Sequence, residues 1–189
     1  MIINKETAIH YGFWTWDEPD SAHSFVQSRT DLSTTTYFCV NFPPRMINYI
    51  VEAVKSNITS ASKLFYTDVL VADELLNSYR RAISERNTKL ISIEKETDQS
   101  PIGEQTKRLH DLSVNWHTIC KDLLDLEEHL CNLKELYRML IPGRESLEGC
   151  DQPLEQLNST CQFYKRWAMT YRDRTQSRIN LVWSILEEN

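Results

Sequence analysis

Few residues in this 189-residue chain have the types and spacing that chemistry requires. His110 and His117 stand seven apart, with Cys120 three residues beyond. On a helix that spacing puts the three on neighbouring turns, as for ligands of a tetrahedral metal ion. Partly exposed flanking residues are the better reading, and no metal is assigned. A di-iron bundle needs Glu-x-x-His on two helices. The residues three before His110, His117 and His129 are Lys107, Val114 and Leu126, so that motif is absent. Cys120 and Cys131 fall beside an apolar stripe, where cysteine acts as a small hydrophobe rather than a nucleophile. Gly143 and Gly149 are six apart and followed by Cys150, whereas a phosphate-cradling loop needs five and then lysine. No G-x-G-x-x-G, H-E-x-x-H or G-x-S-x-G occurs either. The reading is a non-enzyme with no catalytic residue and no cofactor.

Two charge clusters remain. Asp122, Asp125, Glu127 and Glu128 form an acidic patch, and Lys165, Arg166, Arg172, Arg174 and Arg178 a basic one interrupted by Asp173. The plain reading is a pair of solvated helix flanks that complement each other. The sharper readings are attraction of a divalent cation by the first, and contact of the second with anionic headgroups or an acidic partner. A net charge of −6 argues against generic binding to nucleic acid. Five cysteines, Cys39, Cys120, Cys131, Cys150 and Cys161, form an odd set without a C-x-x-C pair, which suits reduced thiols in the cytoplasm. The N-terminus lacks the apolar stretch of a signal peptide, and no apolar run is long enough to span a membrane. With 41% hydrophobic and 25% charged residues the chain is composed as a globular protein.

The elements that must position these residues are mostly helices. Residues 1–45 hold two strand-like stretches, IHYGFWTW (9–16) and TTTYFCVNF (34–42), separated by a polar segment containing Asp17, Pro19, Asp20 and Ser21. Phe13, Trp14 and Trp16 read as the core of this small layer rather than a ligand platform. Pro43 and Pro44 close the second stretch, and a short helix follows within 46–60.

Residues 61–189 are expected to form an antiparallel bundle of three long helices, about 62–98, 103–141 and 151–187. Phe65, Val69, Ala72, Leu76, Tyr79, Ile83, Arg86, Leu90 and Ile93 advance by alternating steps of four and three. So do Leu109, Leu112, Trp116, Ile119, Leu123, Leu126, Leu130, Leu133, Tyr137 and Leu140, without a polar member. A looser third series runs Leu154, Leu157, Cys161, Tyr164, Ala168, Tyr171, Thr175, Ile179, Val182 and Leu186. Such alternation lines one side of a helix, and flanking apolar residues widen each stripe enough for a three-helix core. The uninterrupted second stripe predicts that the second helix is the most buried. Pro101, Gly103, Pro142 and Gly143 mark the breaks, and links this short make neighbours antiparallel.

At LFYTDVLVADELLNSYRRAI (64–83) the chain resembles the cytoplasmic region of fungal CorA-like divalent-cation (magnesium) transporter proteins. TTTYFCVNFPP (34–44) is similar to that family's last strand before its helices. TYRDRTQSRINLVWSIL (170–186) is similar to the helix that descends as a stalk toward its first membrane span. The resemblance covers roughly 35–186 and consists of residue classes. The family's paired membrane helices and Gly-Met-Asn pore signature have no counterpart here, so no pore residue carries over. It implies a cytoplasmic module, from a family whose full-length members are membrane-anchored, acting in regulation or by self-association. The rival reading is a free-standing coiled-coil adaptor or scaffold that binds a protein partner. For either, Phe163, Trp167, Ile179 and Trp183 are the expected interface, on a flank of the third helix offset from its inward stripe.

Overall fold

The computed structural model describes residues 2–4, 7–15, 23–30, 35–57, 65–96, 102–140 and 151–187. Its first elements are strands: β1 (Ile2–Asn4), β2 (Thr7–Thr15), β3 (His23–Thr30) and β4 (Thr35–Val40). They form one antiparallel sheet in the order β1-β2-β3-β4. The register sets Phe13 opposite Phe25, Phe25 opposite Val40, and Ser28 opposite Tyr37. This corrects the expectation of two strands. HSFVQSRT alternates too poorly to announce a strand, and the three residues of β1 are too short to show a pattern; both are held by pairing with β2. Trp16 and the side chains of Phe13 and Trp14 lie outside the described residues, as do Pro101 and the 141–150 connection with Gly143, Gly149 and Cys150.

The chain leaves the sheet through Asn41, whose φ of 59° is one that asparagine tolerates better than most residues. Its carbonyl accepts a 2.7 Å hydrogen bond from the buried Ser24 hydroxyl, which pins the turn to β3. Helix α1 (Pro44–Ser56) follows at once, with proline in its first turn, where a missing N–H costs nothing. Met46 is the residue of α1 that is fully buried, while Ile47, Tyr49 and Val51 stay exposed. Arg45 reaches Glu74 of the next helix at 3.7 Å.

Three long helices complete the fold: α2 (Tyr66–Lys95), α3 (Ile102–Leu140) and α4 (Asp151–Glu187). Helix α2 opens behind Phe65, a buried residue held at a φ of 61°. Its first half buries two adjacent stripes: Ala72, Leu76, Tyr79 and Ile83, and beside them Val71, Leu75, Ser78 and Ala82. In α3 every stripe residue from Leu109 to Tyr137 is buried. The prediction that α3 alone is the deepest helix is therefore corrected. It has the cleanest single seam, but α2 buries a wider arc where alanine and serine allow close approach. Helix α4 buries Leu154, Leu157, Cys161, Ala168, Thr175, Ile179 and Val182, while Tyr164 and Tyr171 are only half-buried.

The chain divides into two compact units, one from Met1–Ser78 and Leu126–Thr160, the other from Tyr79–Asp125 and Cys161–Asn189. In the first, Lys134 of α3 meets Glu155 of α4 at 2.9 Å. In the second, Arg108 of α3 meets Glu96 just after α2 at 2.6 Å, and the Cys161 thiol donates to the Leu123 carbonyl at 3.2 Å. Trp116 and Tyr171 stack there with ring centres 5.5 Å apart. These pairings run α3 antiparallel to both neighbours. The protein is mainly α: an antiparallel three-long-helix bundle with a small N-terminal α+β appendage.

Candidate interaction surface

On α4 the inward stripe is set by the alternation of threes and fours, so side chains one position off it reach the surface. Phe163 is 42% exposed and Trp167 45%, with rings 4.8 Å apart and tilted by 44°. Tyr164 joins them, its ring 5.9 Å from Phe163 and 6.4 Å from Trp167. Exposed aromatic groups gathered in this way are surface that water solvates poorly and that a partner can cover.

The other two expected interface residues are not brought to this pair. Ile179 is only 4% exposed and belongs to the inward stripe. Trp183 is 50% exposed but follows Trp167 by sixteen residues, which at about 100° per residue turns it roughly 160° around the helix. It shares its side of α4 with exposed Met169 instead, fourteen residues before it. Leu181 is not among the expected interface residues. It lies eighteen residues beyond Phe163, about five whole turns, and is 46% exposed. The flank is therefore Phe163, Trp167 and Leu181. Arg174 occurs on the same line and is anchored by a two-pronged ion pair to Glu94 of α2, with Nε 2.9 Å from Oε1 and Nη2 on Oε2.

That pair also disperses the basic cluster. Arg172 turns to Asp173 at 2.9 Å, and Arg174 to α2 rather than to the acidic residues of α3. Asp125 and Glu128 are exposed while Asp122 and Glu127 are half-buried, so the acidic patch spreads around α3 instead of converging. His117 Nδ1 lies 2.9 Å from the Ser113 carbonyl of its own helix. Burial pushes the Cys120 thiol up, with Arg172 opposing, which disfavours the thiolate a metal would need. Among the described residues no group of three His, Cys, Asp or Glu side chains is placed to hold a metal ion.

No protein-family model and no curated protein matches the chain. Its fold is nevertheless that of solved proteins. The complete CorA magnesium transporter from Methanocaldococcus jannaschii superposes with a TM-score of 0.65 at 13% identity, over 96% of this chain and 56% of that one. The soluble domain of CorA from the same organism gives 0.62 at 16% identity, over 97% of this chain and 72% of the domain. The chain thus spans little more than half the length of the complete transporter it resembles. Among the described residues no helix is long and apolar enough to cross a membrane.

Proposed function

We propose that this chain is the cytoplasmic helical module of a CorA-like divalent-cation transporter protein, acting in regulation or self-association rather than in conduction. The observation that carries this is the superposition on the CorA soluble domain along 97% of the chain. Magnesium transport belongs to the solved neighbour, and it comes to this chain only as a proposal. The module works by packing against further copies, and the α4 flank of Phe163, Trp167 and Leu181 is its contact surface. The fungal grouping rests on the sequence resemblance.

Two measurements test the proposal. Light scattering of the purified chain over a wide concentration range is expected to show a mass that rises above 22.2 kDa, and that rises less steeply with Phe163→Glu and Trp167→Glu together. A constant monomer mass at every concentration overturns self-association. An open reading frame that runs past Asn189 into paired apolar helices supports the transporter reading. A native message that ends there, with a different protein captured on the same flank, favours the adaptor instead.

A further inference from the structure

A sheet that ends in an open strand leaves alternate backbone N–H and C=O groups without a ladder partner, and natural proteins block such edges with charge, proline or a covering element. Strand β4 is an edge of this kind. It closes the order β1-β2-β3-β4, and among the described residues it pairs only with β3. Its sequence, TTYFCV, holds no charged residue and no proline, and is β-branched or aromatic at five of six positions. Thr36, Phe38 and Val40 alternate onto one face and are all exposed, Phe38 by 62%, so among the described residues nothing covers that face, while Tyr37 on the other face meets Asp68 of α2.

We propose that β4 pairs edge to edge with β4 of a second copy, joining two four-stranded sheets across a two-fold axis at Phe38. The strand is self-complementary about that residue. An antiparallel pairing with Phe38 opposite Phe38 sets Val40 opposite Thr36 on either side, so each exposed apolar side chain meets an uncharged partner. A charged peptide gains nothing from this edge beyond its backbone bonds, whereas a second copy also buries the two phenylalanines. The contact is separate from the α4 flank and does not depend on it.

Hydrogen exchange measured at low and high protein concentration tests this directly. Residues 35–40 are expected to gain protection as concentration rises, and Val40→Lys is expected to abolish the gain while leaving exchange of α2 and α3 unchanged. The same gain in Phe163→Glu/Trp167→Glu separates this contact from the α4 surface, since that variant removes only the other one. Protection independent of concentration means the edge is closed within one chain and overturns the proposal. So does equal exchange at both concentrations. A second measurement fixes the register. In a Cys39→Ser background Phe38→Cys is expected to oxidise to a covalent dimer, because directly opposed antiparallel residues lie within disulfide reach, about 4.4–6.8 Å between Cα atoms. If exposed Ile47→Cys in that background crosslinks as readily, the dimer reflects collision and the pairing is wrong.

Discussion

Tyr37 of β4 donates its phenolic hydrogen to Asp68 Oδ2 across 3.2 Å, tying the sheet to the first turn of α2. Asp68 is fully buried, and burial pushes its pKa up to about 7; the Tyr37 hydrogen bond and its own backbone N–H oppose this without cancelling it. Tyr37 is held well above the usual tyrosine range by burial first and by the Asp68 charge second. Placement in the first helical turn gives the carboxylate some help from the helix dipole. It does not outweigh the loss of water.

A raised folded-state pKa fixes the sign of the pH dependence. The folded protein holds the Asp68 proton more tightly than the unfolded chain, so stability is full below the unfolded value. It is lost as pH rises through about 7. From this residue stability falls between about pH 4 and pH 7 by at most about 1.4 kcal/mol per pH unit. Asp68→Asn keeps an acceptor for Tyr37 and removes the titration, so its urea midpoint should be flatter over that range and exceed that of the unmodified protein at pH 8. A steeper pH dependence in the variant contradicts this assignment.

The seam of α3 makes a sharper prediction about packing. Trp116, fully buried against Tyr171, should cost about 3–5 kcal/mol on truncation to alanine, and Leu126→Ala about 2–5. Exposed Glu128→Ala should stay within about 0.5 kcal/mol. Denaturant midpoints that drop equally at all three positions would count against the seam.

Much of this architecture can be read from residue spacing, and the exceptions have physical causes. The stripe from Leu109 to Tyr137 is buried throughout because alternating steps of three and four keep an apolar side chain facing the core at every turn. β3 stayed hidden because a strand paired on both sides is stabilised by its neighbours' backbones, which its own side-chain pattern need not show. The second buried stripe of α2 depends on Ser78 and Ala82, types that signal nothing by themselves but let another element come close. Nothing in the sequence singles out Asp68, since burial of a carboxylate is decided by what the sheet brings to it. For the α4 surface, Phe163 and Trp167 were legible as a flank. Ile179 and Trp183 were not, because sixteen residues at about 100° each end roughly 160° past four whole turns, on another side of the helix.

Arg174 and Glu94 offer a test of how much the exposed edge of the bundle contributes. Two donors on one carboxylate give fixed geometry, yet the arginine side chain remains 46% exposed. A double-mutant cycle with both alanine variants should therefore find a coupling of about 0.5–1 kcal/mol, near the upper end for surface pairs. It should shrink in about 1 M salt, where the screening length is roughly 3 Å. A coupling that ignores salt would mean the pair is more deeply enclosed.

His117 and Cys120 predict a negative result with a clear readout. With one ring nitrogen engaged by the Ser113 carbonyl and the thiol raised by burial, a chelator should leave the melting temperature unchanged. Thiol titration of the unfolded chain should count all five cysteines. A drop of several degrees on chelation would restore a metal to this part of α3.

The last prediction divides the exposed aromatic residues of α4. Phe163 and Trp167 touch each other and share a line with Leu181, whereas Trp183 lies roughly 160° around the helix from Trp167 and beside Met169's line. A single contact surface cannot wrap both sides of a helix whose remaining sides face its own bundle. If association uses the Phe163 line, a charge there places an unpaired carboxylate in the interface, a desolvation cost of at least about 1–3 kcal/mol. Trp167→Glu should then weaken association by about tenfold or more, each tenfold being about 1.4 kcal/mol. Trp183→Glu should leave the association constant within about a factor of two, since exposed positions away from contacts are near neutral. Sedimentation equilibrium of the three proteins decides the matter, with circular dichroism to confirm that each variant keeps its helices. Equal weakening by both substitutions would place the contact at neither line alone, and loss of association only with Trp183→Glu would move the surface to the Met169 side.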